Sequence, residues 1–158
     1  MLKLEKITDK NVWRIIELEV EEAQKSFVAT NTQSMIEAYT TLASGGVALP
    51  FGIYDDETPV GFVMIGYGGD SADEPEYARN AYSIWRLMID RRYQRRGYGR
   101  QAMKLALDYI RTQPAGYADR CYLSYEPENV NAKALYNSFG FIETGDMDDD
   151  ELVAVMKL

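Results

Sequence analysis

Between residues 89 and 100 the sequence reads Ile89-Asp90-Arg91-Arg92-Tyr93-Gln94-Arg95-Arg96-Gly97-Tyr98-Gly99-Arg100. This stretch joins a strand pattern at residues 82–89 to a helical pattern at residues 99–112. Its two glycines let the backbone turn sharply and approach a ligand without a Cβ in the way. The first amides of a helix lack internal partners, and the helix dipole adds partial positive charge there. The stretch therefore predicts an anion site, which arginine side chains strengthen with charge-assisted donors.

Apolar alternation and helical spacing on either side of this stretch predict the element order β-α-α-β-β-β-α-β-α-β-β. The strand patterns cover residues 2–7, 47–54, 60–67, 82–89, 120–125, 141–145 and 152–157, and the helical patterns cover residues 11–24, 34–42, 99–112 and 130–139. This order predicts an α/β (mixed α+β) fold, with a central, mostly antiparallel, twisted sheet and helices on both faces. Because no linker or repeat interrupts the pattern, we expect residues 1–158 to form a single domain.

The composition excludes several classes of mechanism. Histidine is absent, which removes every histidine base and almost every transition-metal site built from histidine and cysteine, so no metal is expected. Cys121 is the only cysteine, so no intrachain disulfide can form, which fits a reducing compartment. The N-terminus has no apolar run of signal-peptide length, and no stretch is long enough to span a bilayer. We therefore expect a cytoplasmic protein without a membrane partner.

The net charge of −8 is unevenly distributed. Residues 86–104 carry +6, and the rest of the chain carries −14. A basic segment in an acidic protein suggests a polyanion at the segment and a cation elsewhere. Nucleic acid is not expected as a partner, because the basic segment is short and the remaining surface repels phosphate.

Two motifs give the sequence a specific resemblance. The spacing Gln94-x-x-Gly97-x-Gly99 resembles the coenzyme A-binding signature of the GNAT acetyltransferase superfamily, written Gln/Arg-x-x-Gly-x-Gly/Ala, and fits neither a P-loop nor a dinucleotide fingerprint. Residues 129–141 read Asn-Val-Asn-Ala-Lys-Ala-Leu-Tyr-Asn-Ser-Phe-Gly-Phe. They resemble the family motif Asn-x-x-Ala-x-x-Leu-Tyr-x-x-x-Gly-Phe at every specified position. The resemblance extends over about residues 2–158 and implies the GNAT fold, with about seven strands and four helices.

The resemblance implies an N-acetyltransferase that uses acetyl-CoA, and it implies roles for particular residues. Backbone amides of the loop would hold the pyrophosphate, the main chain of the preceding strand would pair with the pantetheine arm, and Asn129 would bind the arm from the other side. Tyr136 would stand beside the sulfur and donate a proton to the departing thiolate. The implied cofactor-binding residues are Leu87, Met88, Ile89, Gln94, Arg95, Arg96, Gly97, Tyr98, Gly99, Arg100, Asn129 and Tyr136.

The implied reaction is direct attack of a neutral amine on the thioester, without an acyl-enzyme. Cys121 lies in an apolar strand pattern with no histidine to activate it, and we interpret it as core packing. The base that deprotonates the amine stays open, because residues 83–87 lack the glutamate that some relatives carry there. Candidates are Glu126, Ser124 acting through water, and a carboxylate from the first two helices.

The amine is expected to be a small cation. Residues 24–39 resemble the corresponding part of bacterial spermine/spermidine acetyltransferases, with a similar Phe-Val-x-x-Asn-x-x-Ser-x-x-Glu-Ala-Tyr pattern. A polyamine needs spaced carboxylates and apolar or aromatic walls, which Glu22, Glu37, Phe27 and Tyr39 could supply. Alternatives are an aminoglycoside-like drug, protein amines, or a sensor module that binds acyl-CoA without turnover. The sequence leaves the oligomeric state open, although homodimers are common among relatives.

Overall fold

The computed structural model describes all residues, 1–158, and confirms the predicted mixed α/β fold. In chain order the elements are β1 (Leu2–Lys6), α1 (Val12–Ile16), α2 (Asn31–Ala43), β2 (Val47–Asp55), β3 (Thr58–Tyr67), β4 (Tyr82–Ile89), α3 (Tyr98–Arg111), β5 (Arg120–Tyr125), α4 (Val130–Phe139), β6 (Ile142–Asp148) and β7 (Glu151–Lys157). The strands form one seven-stranded sheet in the order β1-β2-β3-β4-β5-β7-β6. Every pairing is antiparallel except that of β4 with β5. No helix combines the length and apolar character needed to cross a membrane.

The sheet separates two apolar clusters, because successive side chains of a strand point to opposite faces. In β3, Val63 and Ile65 belong to a cluster of 20 buried residues that includes the apolar face of α3. Phe62 and Met64 belong to a cluster of nine buried residues on the other face, which α1 and α2 cover. Helices therefore lie on both faces, as the sequence predicts.

The predicted helix over residues 11–24 was wrong in extent, because α1 ends at Ile16 and only Glu22–Gln24 form a further 3₁₀ turn. Tertiary hydrogen bonds compete with the helix here. The buried amide of Asn31 donates to the Ile15 carbonyl at 2.8 Å. The backbone of Glu19 donates to the Asp90 carboxylate at 3.0 Å and accepts from the Arg91 amide at 2.8 Å. These bonds hold residues 17–21 in a non-helical path against the end of β4.

The sheet opens between β4 and β5. These parallel strands pair only at Tyr82–Cys121 and Ser83–Tyr122 and then diverge. On the other side of β4 a bulge inserts one residue, since Met64 pairs with Arg86 and Ile65 with Ile84, which leaves Trp85 as the extra residue. A bulge bends its strand and increases the local twist. The second half of β4 therefore has one backbone edge without a strand partner.

Candidate active site

A cavity of about 970 Å³ occupies the gap between β4 and β5. Its walls come from the segment between α1 and α2, the second half of β4, the loop before α3, the end of β5, α4 and the first residue of β7. This volume lies within the range of small-molecule sites. Residues 84–89 line the cavity and present their open backbone edge to it.

The loop between β4 and α3 has the geometry of an anion site. Gly97 precedes α3 with φ +78°, and Arg95 also has a left-handed φ of +62°. No side chain caps the helix, and none of the amide groups of residues 95–100 donates a hydrogen bond to a protein acceptor. Successive free amides in such a turn form a concave anion-binding nest, and the dipole of the 14-residue helix reinforces it. The loop thus fits the diphosphate of coenzyme A.

Gln94, the first residue of the signature, connects this loop to other parts of the cavity wall by hydrogen bonds. Its side-chain Nε2 donates to the Ile89 carbonyl at 2.9 Å and to Gln24 Oε1 at 2.7 Å. Gln24 Nε2 donates back to Gln94 Oε1 at 3.1 Å. Tyr98 fixes the far side of the loop, because its hydroxyl donates to the Asp55 carboxylate at 2.6 Å. Gln94 and Tyr98 therefore position the backbone of the loop through their side chains.

Asp90 is the buried anchor of the loop, with 2% of its surface exposed. Its carboxylate accepts from the Glu19 amide, the Arg92 amide and the Arg92 guanidinium. Burial by itself would raise the pKa of this carboxyl, but the hydrogen bonds from Arg92 and Glu19 outweigh burial and lower the pKa below its usual 3.8. The ionised carboxylate thus joins the loop to the segment after α1.

We expect Asp90→Asn to reduce the free energy of unfolding at pH 7 by about 3 kcal/mol, since an amide cannot accept all of these bonds. Because the folded-state pKa is depressed, this stability is present above the unfolded pKa and lost as pH falls through the folded pKa. The difference in the free energy of unfolding between native protein and variant should therefore shrink below about pH 4. Urea unfolding at pH 7, 5 and 3 measures it, and a gap that stays constant with pH would contradict this role of the carboxylate.

The basic segment divides into paired and free charges. Arg86 makes an ion pair with Glu37 at 2.9 Å, and Arg92 pairs with Asp90. Arg95 is 85% exposed at its side chain and has only a loose contact with Glu21 at 3.6 Å. Arg100 donates to Ser138 Oγ at 2.8 Å and lies over the ring of Phe139. Arg95 and Arg100 line the cavity at the loop and can add positive charge to the anion site.

Tyr136 and Asn129 lie on the opposite wall, on α4 and at its N-cap. The Tyr136 ring packs on Tyr125 and Phe141, with centroids 5.6 and 6.2 Å away, and its hydroxyl makes no hydrogen bond within the protein. Burial raises the pKa of Tyr136 to about 12, so the phenol keeps its proton at physiological pH. Asn129 uses its side-chain oxygen to cap α4 through the Ala132 amide, which leaves its NH₂ group to donate.

The residues expected to bind the acceptor occupy different positions. Phe27 lines the cavity. Glu37 does not, but it pairs with Arg86, which does. Glu22 lies outside the cavity, because the 3₁₀ turn directs it to solvent, where it pairs with Lys25 at 2.8 Å. Tyr39 also lies outside, on the solvent face of α2 with 74% of its surface exposed.

One cavity carboxylate was missed in the sequence. Glu151, the first residue of β7, lines the cavity and accepts a hydrogen bond from Ser124 Oγ at 3.0 Å. Burial raises the pKa of Glu151, and the neighbouring carboxylates of Asp148 and Glu126 act in the same direction. In the sequence Glu151 follows Asp148-Asp149-Asp150, a run that is typical of a solvated turn. Glu151 differs from these three aspartates only because the register of β7 against β5 places it in the cavity wall.

Cys121 does not reach the cavity. It is fully buried in the cluster beneath α3, and burial raises the pKa of its thiol to about 12. A thiol that stays protonated is a poor nucleophile. This placement agrees with the interpretation of Cys121 as core packing.

Comparisons with known proteins agree with this geometry. A family model described as the acetyltransferase (GNAT) family matches residues 11–141. The chain is 28% identical, over 99% of each chain, to spermine/spermidine N(1)-acetyltransferase of Bacillus subtilis (strain 168). Its fold matches that of spermidine N-acetyltransferase from Vibrio cholerae in complex with CoA and spermine, at 19% identity and TM-score 0.69, covering 99% of this chain and 94% of the other. An aminoglycoside acetyltransferase in complex with coenzyme A and kanamycin matches at 13% identity and TM-score 0.77, covering 99% and 95%.

The family match covers most of the chain, and it includes the anion loop and the helix that carries Tyr136. Solved relatives of this fold hold coenzyme A, and the free amides and open strand edge of this cavity suit the same ligand. The chain therefore belongs to the acetyltransferase (GNAT) family and is an acetyl-CoA-dependent N-acetyltransferase.

Proposed function

We propose that this N-acetyltransferase acetylates a primary amine of a polyamine such as spermine or spermidine by direct attack. The observation that carries the proposal is the charge of the cavity wall away from the anion loop. Glu126 and Glu151 line this wall without a cationic partner, and Glu37 neutralises Arg86, the basic residue that β4 contributes to the cavity. A wall with net negative charge attracts a polycation. Whole-length similarity to a curated spermine/spermidine acetyltransferase supports the same acceptor.

Apolar surface accompanies these carboxylates. Phe27, Val28 and Trp85 line the same cavity, which offers contact to the methylene segments of a polyamine and an aromatic face to its ammonium groups. Gln24 and Gln33 add hydrogen-bonding amides. Alternating apolar and anionic contacts are what a chain of methylenes and ammonium groups requires.

We assign the remaining chemistry to residues of the opposite walls. Acetyl-CoA supplies an activated acetyl thioester. The amides of residues 95–100, with Arg95 and Arg100, bind its phosphates, and the open edge of β4 at Leu87–Ile89 aligns the pantetheine arm as an added strand would. Asn129 donates its free NH₂ group to that arm. Tyr136 donates its proton to the sulfur. In this proposal residues 1–158 act as one catalytic domain in the cytoplasm.

Free thiol release from acetyl-CoA tests the acceptor, with spermine, spermidine, an aminoglycoside and a lysine peptide as substrates. We expect kcat/KM to be highest for the two polyamines, by about tenfold or more over the other amines, because only they combine spaced charges with flexible methylenes. A preference for the aminoglycoside or the peptide would contradict the proposal.

The same assay on Glu37→Gln tests the charge argument. Removing the Glu37 carboxylate exposes the positive charge of Arg86 at the cavity wall, so KM for spermine should rise about tenfold while affinity for coenzyme A stays the same. Glu57→Gln is the matched control, since Glu57 lies in the β2–β3 turn and its side chain is 96% exposed. An equal rise in KM for both variants would indicate a general charge effect and not the unmasking of Arg86.

A further inference from the structure

Glu151 owes its position in the cavity to the register of the last strand. Ser124 of β5 pairs with Val153 of β7, and Glu151 lies two residues before Val153. Side chains two residues apart share one face of a strand, so Glu151 and Ser124 project from the same face. Their hydrogen bond of 3.0 Å joins the Ser124 hydroxyl to Oε1 of Glu151, and Oε2 has no hydrogen-bond partner in the protein. The cavity therefore contains a positioned carboxylate with one free oxygen.

The surroundings of Glu151 place it beside the reaction. Glu151 and Tyr136 both line the cavity, and Tyr136 packs on Tyr125, the residue next to the Ser124 that binds Glu151. Burial raises the pKa of Tyr136, and the carboxylate of Glu151 acts in the same direction. The charged groups that act on Glu151 are Arg86 of β4, Glu126 after β5 and Asp148 of β6. Arg86 is already neutralised by Glu37 of α2, and Glu151 makes no ion pair with any residue of the chain. A half-buried carboxylate without an ion-pair partner is suited to receive a cation.

We propose that Glu151 is a catalytic carboxylate, which binds the ammonium group of the acceptor and takes its proton before attack, while the Ser124 hydroxyl holds it in place. This inference rests on the proposed function only in requiring that the acceptor be a cationic amine. Neither Glu126 nor a carboxylate from the first two helices shares this arrangement, because Glu126 has no such hydroxyl partner and Glu37 is paired.

The proton balance is simple. One proton moves from the ammonium nitrogen to Oε2 of Glu151, which leaves a neutral amine and a carboxylic acid. The nitrogen lone pair then forms the C–N bond to the acetyl carbon as the C–S bond breaks, and the sulfur takes the proton of Tyr136. The phenolate recovers a proton from the newly bonded nitrogen, and Glu151 releases its own to solvent. One proton is thus released for each amine acetylated.

The test is the pH profile of kcat/KM for Glu151→Gln, a variant that keeps the size of the side chain and its hydrogen bond to Ser124. At pH 7 we expect kcat/KM for spermine to fall roughly 100-fold, within the range of a lost general base. The variant can use only amine that is already neutral, and this fraction rises tenfold per pH unit below the amine pKa of about 10. The deficit should therefore shrink to a few-fold by about pH 9.5. The native enzyme should instead stay nearly constant between these pH values.

The controls separate this role from others. Asp150→Asn removes one negative charge from the adjacent, exposed turn and should leave the profile unchanged. A deficit in Glu151→Gln that is equal at every pH, or a recovery at high pH found for Glu126→Gln instead, would overturn the proposal. If spermine and spermidine are not substrates, the proposed function fails, and the same profiles are measured with the fastest amine of the panel. If no amine reacts, binding is measured by calorimetric titration of butylamine into coenzyme A-saturated protein. Equal affinity for butylamine in native protein and in Glu151→Gln would overturn the inference.

Discussion

Replacing Tyr136 by phenylalanine should lower kcat between about 100- and 1,000-fold, the range typical of a lost general acid. Tyr136 lines the cavity, its hydroxyl has no hydrogen-bond partner in the protein, and burial raises its pKa to about 12, which keeps it protonated. Phenylalanine preserves the packing on Tyr125 and Phe141, so the fold and the affinity for coenzyme A should change little. Single-turnover thiol release measures the effect on the chemical step alone, and calorimetry measures the affinity.

Tyr109→Phe is the matched control for this experiment. Tyr109 also carries a partly buried ring, which packs on Phe51 beneath the sheet and away from the cavity. Loss of its hydroxyl should leave kcat unchanged. A drop of less than threefold for Tyr136→Phe would show that the thiolate leaves without this proton.

The second large effect is expected at the anion loop, where Gly97→Val should weaken coenzyme A binding about 1,000-fold. A β-branched residue at φ +78° costs about 1–3 kcal/mol, and the backbone relieves this strain by rotating its amides away from the anion. Each lost hydrogen bond to a charged ligand costs about 1.5–3 kcal/mol. Together these terms amount to about 4 kcal/mol, or three orders of magnitude in the dissociation constant. Calorimetric titration with coenzyme A measures the change.

Gly45→Val is the control that separates the effect of backbone strain from the effect on coenzyme A binding. Gly45 follows α2 with a similar φ of +83°, has no atom within 4 Å of the position of an added Cβ, and does not line the cavity. Both variants should lose comparable thermal stability, but only Gly97→Val should lose affinity for coenzyme A. Parallel losses of affinity would contradict the direct role of the loop amides.

The cofactor side of the site was predictable because the features that form it lie close together in the sequence. A glycine that must adopt positive φ, a strand that ends at residue 89 and a helix that begins at residue 98 all lie within one short stretch of sequence. Likewise, alternation and helical spacing predicted all eleven elements, because most of them bury one face in a core. The family resemblance added the expectation for Tyr136, which its helical spacing alone marks only as a core residue.

The proposed acceptor side was less predictable, because residues far apart in the sequence pair to form it. Glu151 enters the cavity only through the register of β7 against β5, which the acidic turn does not reveal. Glu22 was expected on a helix facing the acceptor, but that helix ends early, because the Asn31 side chain donates to the Ile15 carbonyl and the Glu19 amide donates to the Asp90 carboxylate. Glu37 lies outside the cavity lining, and its charge is cancelled by Arg86, a residue 49 positions away. Which carboxylates stay unpaired is a property of the folded chain.

The reciprocal amide bonds between Gln24 and Gln94 join the segment between α1 and α2, which lines the proposed acceptor side, to the anion loop before α3. The bonds of Glu19 to Asp90 and Arg91 connect the same two segments. A displacement of either segment would strain these hydrogen bonds. By linkage, whatever factor cofactor binding applies to the affinity for the amine, the amine applies equally to the affinity for the cofactor. The hydrogen bonds between these two segments are the physical connection through which such a coupling would pass.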